Sequence, residues 1–381
     1  MTNSWKGVGS LLAFFSALWA FGLVGCAGRE PAKPVSSMNN PDHYYNNGIK
    51  FLDKGEYDNA LLEFESAKAL EPKYSRAYMG IGLVKAYQGD FGAAFASMKR
   101  VRSLDGVYAH VGMIRLCSMQ RSEGWLEKAE DEFEAGKEKD DSSPDLHFYM
   151  GKAYEIAFEF DKAAACFKKV VDLNEGFVAE ANQEWTLVQK IQRTAPRSKI
   201  GKQIALAEKV TRADLAALFI EELNLDQLYE GGKVKGYDPS LKPLEVASFS
   251  SDSVPVGVDA SDHPLKGYID AVIRLGVRGL EPFPDRTFAP AMPISKANYA
   301  MMVEDILVKV SGDEKLATEF VDASSPFLDV RPDHYAFNSV MVCTTRGIME
   351  ARLGGYFGTE DPVSGADALL VIRRLQEELK Q

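Results

Sequence analysis

From Pro41 onward the same spacing of small and aromatic residues returns about every 34 positions, four times over. The first unit, Pro41 to Tyr74, sets out Tyr44, Gly48, Phe51, Gly55, Tyr57, Ala60, Phe64, Ala67 and Pro72. The second, from Ser75, repeats the offsets with Tyr78, Gly82, Gly89, Phe91, Ala94 and Leu104. A third, from about His110, keeps Gly124, Ala129 and Phe133 but places Cys117 where the others have glycine. The fourth, from Pro144, keeps Gly151, Tyr154, Ala163, Phe167 and Leu173. Such a period accommodates a helix, a turn and a second helix. Gly48, Gly82 and Gly151, with Ala60, Ala94, Ala129 and Ala163, mark where paired helices cross closely. Phe64, Phe91 and Phe167 are expected to fill the space between units. One pair cannot cover its own apolar face, so only stacking closes a core. The chain is thereby constrained to an α-solenoid over residues 41–177. Val178 to Thr194, helical in pattern through Trp185, Val188 and Ile191, is expected to cap it as a linking segment, 178–195.

These spacings resemble the tetratricopeptide repeat, a family of peptide- and protein-binding scaffolds. The resemblance implies a concave face lined by the first helix of each unit. Here that face would include Tyr45, Ile49, Leu52, Met79, Leu83, Tyr87, Ile114, Arg121, Phe148 and Lys152. For a protein-binding groove the expected residues are Tyr45, Ile49, Met79, Leu83, Tyr87, Arg121, Phe148 and Lys152, each of which is equally a candidate core residue. Members that bind chaperone tails use a basic and asparagine clamp, whereas Tyr45 and Ile49 occupy the first two clamp positions here.

The C-terminal half, 196–381, carries a second repeat. Pro196 to Lys202 reads as a linker. Then Lys209-Val210-Thr211-Arg212-Ala213-Asp214-Leu215-Ala216, Pro293-Ile294-Ser295-Lys296-Ala297-Asn298-Tyr299-Ala300 and Pro362-Val363-Ser364-Gly365-Ala366-Asp367-Ala368-Leu369 are three copies of one helix start. Asp259 and Asp329 lie 70 residues apart, and Ser295 and Ser364 lie 69 apart. Thr211, Ser295 and Ser364 are suitable N-caps, and Asp214 and Asp367 three residues on suit capping boxes. Local structure thus explains the hydroxyl and the acid, but not Arg212, because a cation in a first helical turn opposes the helix dipole. These starts, with Val258-Asp259, Phe283, Asp285, Thr287, Phe288 and Pro290 and with Phe327-Leu328-Asp329-Val330, resemble S-layer homology motifs. The resemblance implies an α-helical module of three motifs. It also implies that the basic residue contacts acidic cell-wall glycan, giving Arg212, Lys296 and Thr211 as glycan-binding candidates. Gly365 has no cation to offer. The front half of the first motif is poorly matched, and Val178 to Thr194 is expected to lead it while capping the solenoid. Lys199, Lys202 and Lys209 add positive charge nearby, or simply solvate the linker.

At the other end, Lys6 precedes an uncharged run from Gly7 to Gly25 that stops at Leu23-Val24-Gly25-Cys26. A positive start, an apolar stretch and small residues before a cut form an export signal, and the run is also long enough to cross a bilayer. The final four residues resemble the bacterial lipoprotein signal. That implies cleavage of 1–25, diacylation of Cys26 and a tether over 26–40. Ala27, in place of the aspartate that retains such proteins at the inner membrane, implies the periplasmic side of the outer membrane.

A net charge of −11 disfavours nucleic acid as a partner. Cys117, Cys166 and Cys343 are widely spaced and set in apolar helical patterns, as buried thiols would be. His263 and His334 occupy equivalent positions in two motifs, which favours structural roles. No enzyme, metal or cofactor motif is present in the sequence. The sequence therefore describes a mainly α, non-catalytic envelope lipoprotein. It would bind a protein partner through its repeats and peptidoglycan or acidic wall polysaccharide through its C-terminal module. The alternative is an assembly or pilotin-type factor in which both halves bind protein.

Overall fold

The computed structural model describes residues 39–230 and 257–380. Cys26, the expected signal segment 1–25 and most of the expected tether lie outside the described residues. Among the described residues there are sixteen α-helices and no strand, with only three isolated bridges. None of these helices is long and apolar enough to cross a membrane.

Four helix pairs build the first half. They are α1 (Pro41–Asp53) with α2 (Tyr57–Leu70), α3 (Ser75–Tyr87) with α4 (Phe91–Leu104), α5 (Gly106–Gln120) with α6 (Trp125–Asp140), and α7 (Pro144–Ile156) with α8 (Phe160–Leu173). Several starts are set by side chains that accept the first free N–H groups. Asn40 accepts from His43 N at 2.7 Å, Asp90 from Ala93 N at 2.8 Å, and Ser143 caps α7, which opens on Pro144. The alanines at 60, 94, 129 and 163 are wholly buried at the crossings. A Cβ on Gly48 would run into the Phe64 ring, and Gly80 of the next unit faces the same ring, so Phe64 joins two units. In the second unit Met98 performs this role against Gly82 and Gly112. Phe91, expected to fill that space, is only partly buried, because it opens α4 instead of pointing across its centre. Cys117, Cys166 and Cys343 are free and buried, and burial pushes the Cys166 thiol up to about 12.

The second half is a ring of three motifs. Its helices are α10 (Lys199–Ala205), α11 (Arg212–Glu221), α12 (Leu225–Glu230), α13 (Lys266–Arg274), α14 (Lys296–Ser311), α15 (Phe337–Thr345) and α16 (Gly365–Glu378). Each long helix packs on the leading helix of the following motif: α11 on α13, α14 on α15, and α16 back on α10. The residues before the three long helices close a cycle of backbone hydrogen bonds. Val210 N donates to Val363 O (2.8 Å), Ile294 N to Val210 O (3.0 Å), and Val363 N to Ile294 O (3.1 Å). The cycle needs all three motifs, so no motif is complete alone.

The leading helix of the first motif is therefore α10, not the Val178 to Thr194 segment, and the expected linker at Pro196 to Lys202 includes its first turns. Val178–Thr194 forms α9, which buries Ala181, Val188 and Ile191 and packs on α8 and on α16. Lys190 pairs with Asp367 at 2.8 Å, and Arg373 of α16 donates to Thr194 O (2.6 Å) and Ala195 O (3.1 Å). Arg373 also pairs at 2.6 Å with the fully buried Glu222, which accepts from Arg197 N, Ser198 N and the Ser198 hydroxyl. Burial alone would raise the Glu222 carboxyl, but these donors hold it below the ordinary value.

Candidate functional site

The three helix starts are capped as their residues require. Thr211 and Asp214 form a reciprocal capping box, Ser295 accepts from Asn298 N, and Ser364 accepts from Asp367 N. The paired aspartates close loops: Asp259 accepts from Phe288 N and Ala289 N (2.7 and 2.8 Å), and Asp329 from Phe357 N and Gly358 N (2.8 and 2.6 Å). His263 and His334 are structural as expected, their Nδ1 atoms accepting from Leu265 N and Ala336 N.

The residue after each cap reaches the loop of the next motif. Arg212 is only 6% exposed. Its guanidinium donates to Phe288 O (2.7 Å), Gly279 O (2.5 Å) and Glu281 O (2.8 Å) and lies over the rings of Phe283 and Phe288. The loop carbonyls supply the negative charge that a cation at a helix start lacks. This corrects the sequence expectation that structure leaves Arg212 unexplained: the residue ties motif one to motif two. Lys296 does the same less completely, donating to Phe357 O (2.6 Å) and Glu350 O (3.2 Å) over the Phe357 ring. Burial lowers its pKa, and Asp361 works against that shift. At the third position the preceding chain offers no such loop. Motif one runs from Ala205 to Arg212 in a few residues, and Gly365 N donates to Ala207 O at 2.8 Å. A Cβ on Gly365 would fall on the Ile204 carbonyl. The glycine is thus fitted to a shortened motif, with no room for a cation.

Two clefts remain open beside these anchors. The cleft between motifs one and two, about 210 Å³, is walled by Arg212, Arg278, Phe283, Met292, Met301 and Met302. The cleft between motifs two and three, about 290 Å³, is charged, with Lys296, Arg352 and Arg374 facing Glu350, Asp361 and Asp367. Arg352 pairs with Asp361 and Arg374 with Glu350. Of the expected glycan residues, Lys296 borders the charged cleft, Arg212 borders the apolar one with its donors already engaged, and Thr211 is occupied with Asp214 (2.8 Å). Arg352 and Arg374 were not found from the sequence, because the helix-start repeat does not contain them.

On the solenoid, four of the eight expected groove residues belong to the core. Met79 and Leu83 on α3 are wholly buried and Phe148 on α7 is nearly so, because those helices are covered by their neighbours on both sides, and Tyr45 on α1 is nearly buried against Phe64 and Tyr74. Leu52 and Ile114 are buried as well. Arg121 is the left-handed C-cap of α5 and donates to Ser118 O, so it marks a helix end and not the groove wall. Lys152 is paired with Glu155 and Glu184. Ile49 is partly buried, and Tyr87 is exposed and stacked on Tyr57. The first helices of the four pairs are instead joined by a series of arginine and tyrosine contacts. Arg76 lies between the Tyr45 and Tyr108 rings, pairing with Asp42 and Asp145 (3.5 and 3.8 Å), and Arg115 lies 4.2 Å from the Tyr149 ring centre. These residues link all four units. Their only signal in the sequence is charge within apolar helices.

The S-layer homology domain matches residues 326–369, which span the third motif of the ring from its loop through α15 into α16. A curated relative, cell surface glycoprotein 1 of Acetivibrio thermocellus, is 27% identical over 171 residues; these cover 44% of this chain and 6% of the relative. Among solved structures, a thermophilic tetratricopeptide-repeat protein of Thermus thermophilus is 19% identical. It aligns over 50% of this chain and 97% of its own, with a TM-score of 0.33. The tetratricopeptide-repeat domain of P58(IPK) is 13% identical over 74% of this chain and 81% of its own, at 0.21. The repeat assignment rests on the helix pairs themselves. The C-terminal part of this chain carries an S-layer homology domain, and it follows a solenoid of tetratricopeptide type.

Proposed function

We propose that the protein is a non-catalytic lipoprotein of the cell envelope whose C-terminal ring binds an acidic wall polysaccharide while its solenoid holds a protein partner. An S-layer homology domain suits binding to cell-wall polymers, and a tetratricopeptide-type stack suits binding to protein. The observation that carries the reading is the charged cleft beside Lys296, which opens on that domain. Arg352 and Arg374 pair there with partly solvated carboxylates that a ligand anion can replace. On the solenoid, the expected groove residues that keep some solvent exposure outside helix ends and ion pairs are Tyr87, which is exposed, and Ile49, which is partly buried. The signal ending at Cys26, and Ala27 after it, support an anchor in the outer membrane facing the periplasm.

The test is co-sedimentation with purified sacculi and wall polysaccharide, before and after chemical reduction of the polymer's carboxyl groups. Binding to the native polymer, lost on reduction and weakened by salt, is the expected result. Failure to sediment with the native polymer would overturn the glycan reading in favour of an assembly factor that binds only protein. Metabolic labelling with an alkyne palmitate tests the anchor: label retained by Cys26→Ala rules out Cys26 as the lipidated residue.

A further inference from the structure

The charged cleft does not end at Arg352. A second cavity of about 490 Å³ begins there, lined by Arg352, Leu353, Tyr356, Thr359, Glu360 and Asp361. Arg352 and Asp361 line both cavities, so the two run together across one ion pair. The far wall is a tight turn in which Arg352 N donates to Tyr356 O at 2.7 Å. Gly354 and Gly355 take left-handed φ values of 97° and 82° there, which glycine adopts without strain. The turn directs Leu353 fully to solvent, leaves Tyr356 50% exposed and has the exposed Leu328 beside Gly355. The equivalent turn of motif two, closed by Phe283 N to Thr287 O at 2.8 Å, has Pro284 and Asp285 at its tip and Thr287 in the place of Tyr356. Motif three thus presents an aromatic ring and a leucine that its own fold does not use. Exposed apolar side chains next to a polar trough mark a binding surface.

Resting on the glycan reading above, we infer that the ligand is an extended acidic saccharide held at two adjoining subsites. Its anionic residue lies against Lys296 and Arg374. Arg352 bridges the two subsites, and the next, uncharged sugar lays its C–H face on Tyr356 beside Leu353. Glu360, Asp361 and the Thr359 hydroxyl can accept or share hydrogen bonds with that sugar's hydroxyls. The same carboxylates would repel an anionic membrane surface, so the trough suits a sugar chain better than lipid headgroups.

The experiment uses the full chain in detergent and acidic fragments of purified wall polysaccharide separated by length, with affinity measured by calorimetry. The wild type should bind multi-residue fragments more tightly than a single acidic residue. Tyr356→Ala should remove that gain, weakening long fragments by roughly fivefold to tenfold, the scale of one aromatic contact, and leave the single residue unaffected. Tyr356→Phe should retain the gain. Tyr356 is half exposed, so an unchanged melting temperature will show that the substitution spares the fold. A length gain that survives Tyr356→Ala, or a wild type indifferent to length, would overturn the second subsite while leaving the Lys296 reading in place. A wild type that binds no acidic fragment would overturn both.

Discussion

Replacing Arg212 with alanine separates two accounts of the repeated helix start. From the helix dipole alone, removing a cation from the first turn should stabilise the protein by about 0.3–1 kcal/mol. The structure predicts the opposite. Arg212 donates to three carbonyls of the following motif from a nearly buried position. A hydrogen bond from a charged donor contributes about 1.5–3 kcal/mol, and a carbonyl left without a partner loses about 1–3 kcal/mol. Some of that is offset, because burial of the guanidinium itself is unfavourable and lowers its pKa. Water can also reach the outer carbonyls after truncation. A net loss of roughly 2–4 kcal/mol remains. At about 2–4 °C per kcal/mol for a unit of this size, melting should fall by roughly 4–16 °C. Thermal unfolding followed by circular dichroism, with urea titration as a check, measures it. Arg212→Lys should fall between, since one ammonium cannot match the geometry of the fork. A melting temperature equal to or above wild type in Arg212→Ala would refute the reasoning. If the prediction holds, weakened glycan binding by this variant reports a loosened ring, and Lys296 and Arg352 become the informative positions.

Gly365→Ala places a methyl group on the Ile204 carbonyl and should destabilise the ring closure by about 1–3 kcal/mol; an unchanged urea midpoint would contradict that packing. Gly48→Ala should act similarly at the Phe64 ring, and its effect should be confined to the solenoid, as hydrogen exchange resolved along the chain can show. The Glu222 carboxyl is held below its ordinary value, so its contribution is fully present above about pH 4.3, the unfolded value. It is lost as pH falls through the lower folded value, because the unfolded state then binds more protons. Glu222→Gln should therefore reduce stability at neutral pH and flatten the acid limb of the stability profile. A variant with the wild-type acid slope would show that Glu222 does not titrate in this way.

Much of this architecture was legible because repetition reports on packing. A helix that must cross a neighbour at close range tolerates only glycine or alanine there, so Gly48, Ala60, Ala94 and Ala163 revealed the pairs. The caps Thr211, Ser295 and Ser364 act within one turn, and the aspartates at 259 and 329 were visible through their 70-residue spacing although the loop N–H groups they accept from lie 28 to 30 residues on. The charged cleft was only half visible: Lys296 belongs to the repeated start, whereas Arg352 and Arg374 stand outside it, at a turn position and further along α16.

The sequence by itself determined the helix pairs of the first half, where those pairs cross, how the three repeated helices begin and that the C-terminal half repeats. Those outcomes depend on backbone sterics and on partners a few residues away. Only the tertiary structure decided that α10 leads the first motif, that Met79 and Leu83 are core, that Arg212 is a tie between motifs and that Gly365 must have no side chain. Each depends on what lies across a gap from a residue distant in sequence. Val210, Ile294 and Val363 find their partners only when the ring closes, and Arg373 meets Glu222 only when α16 returns to α11. A side chain's burial and its hydrogen-bond acceptors belong to that assembled geometry, and no local pattern carries them.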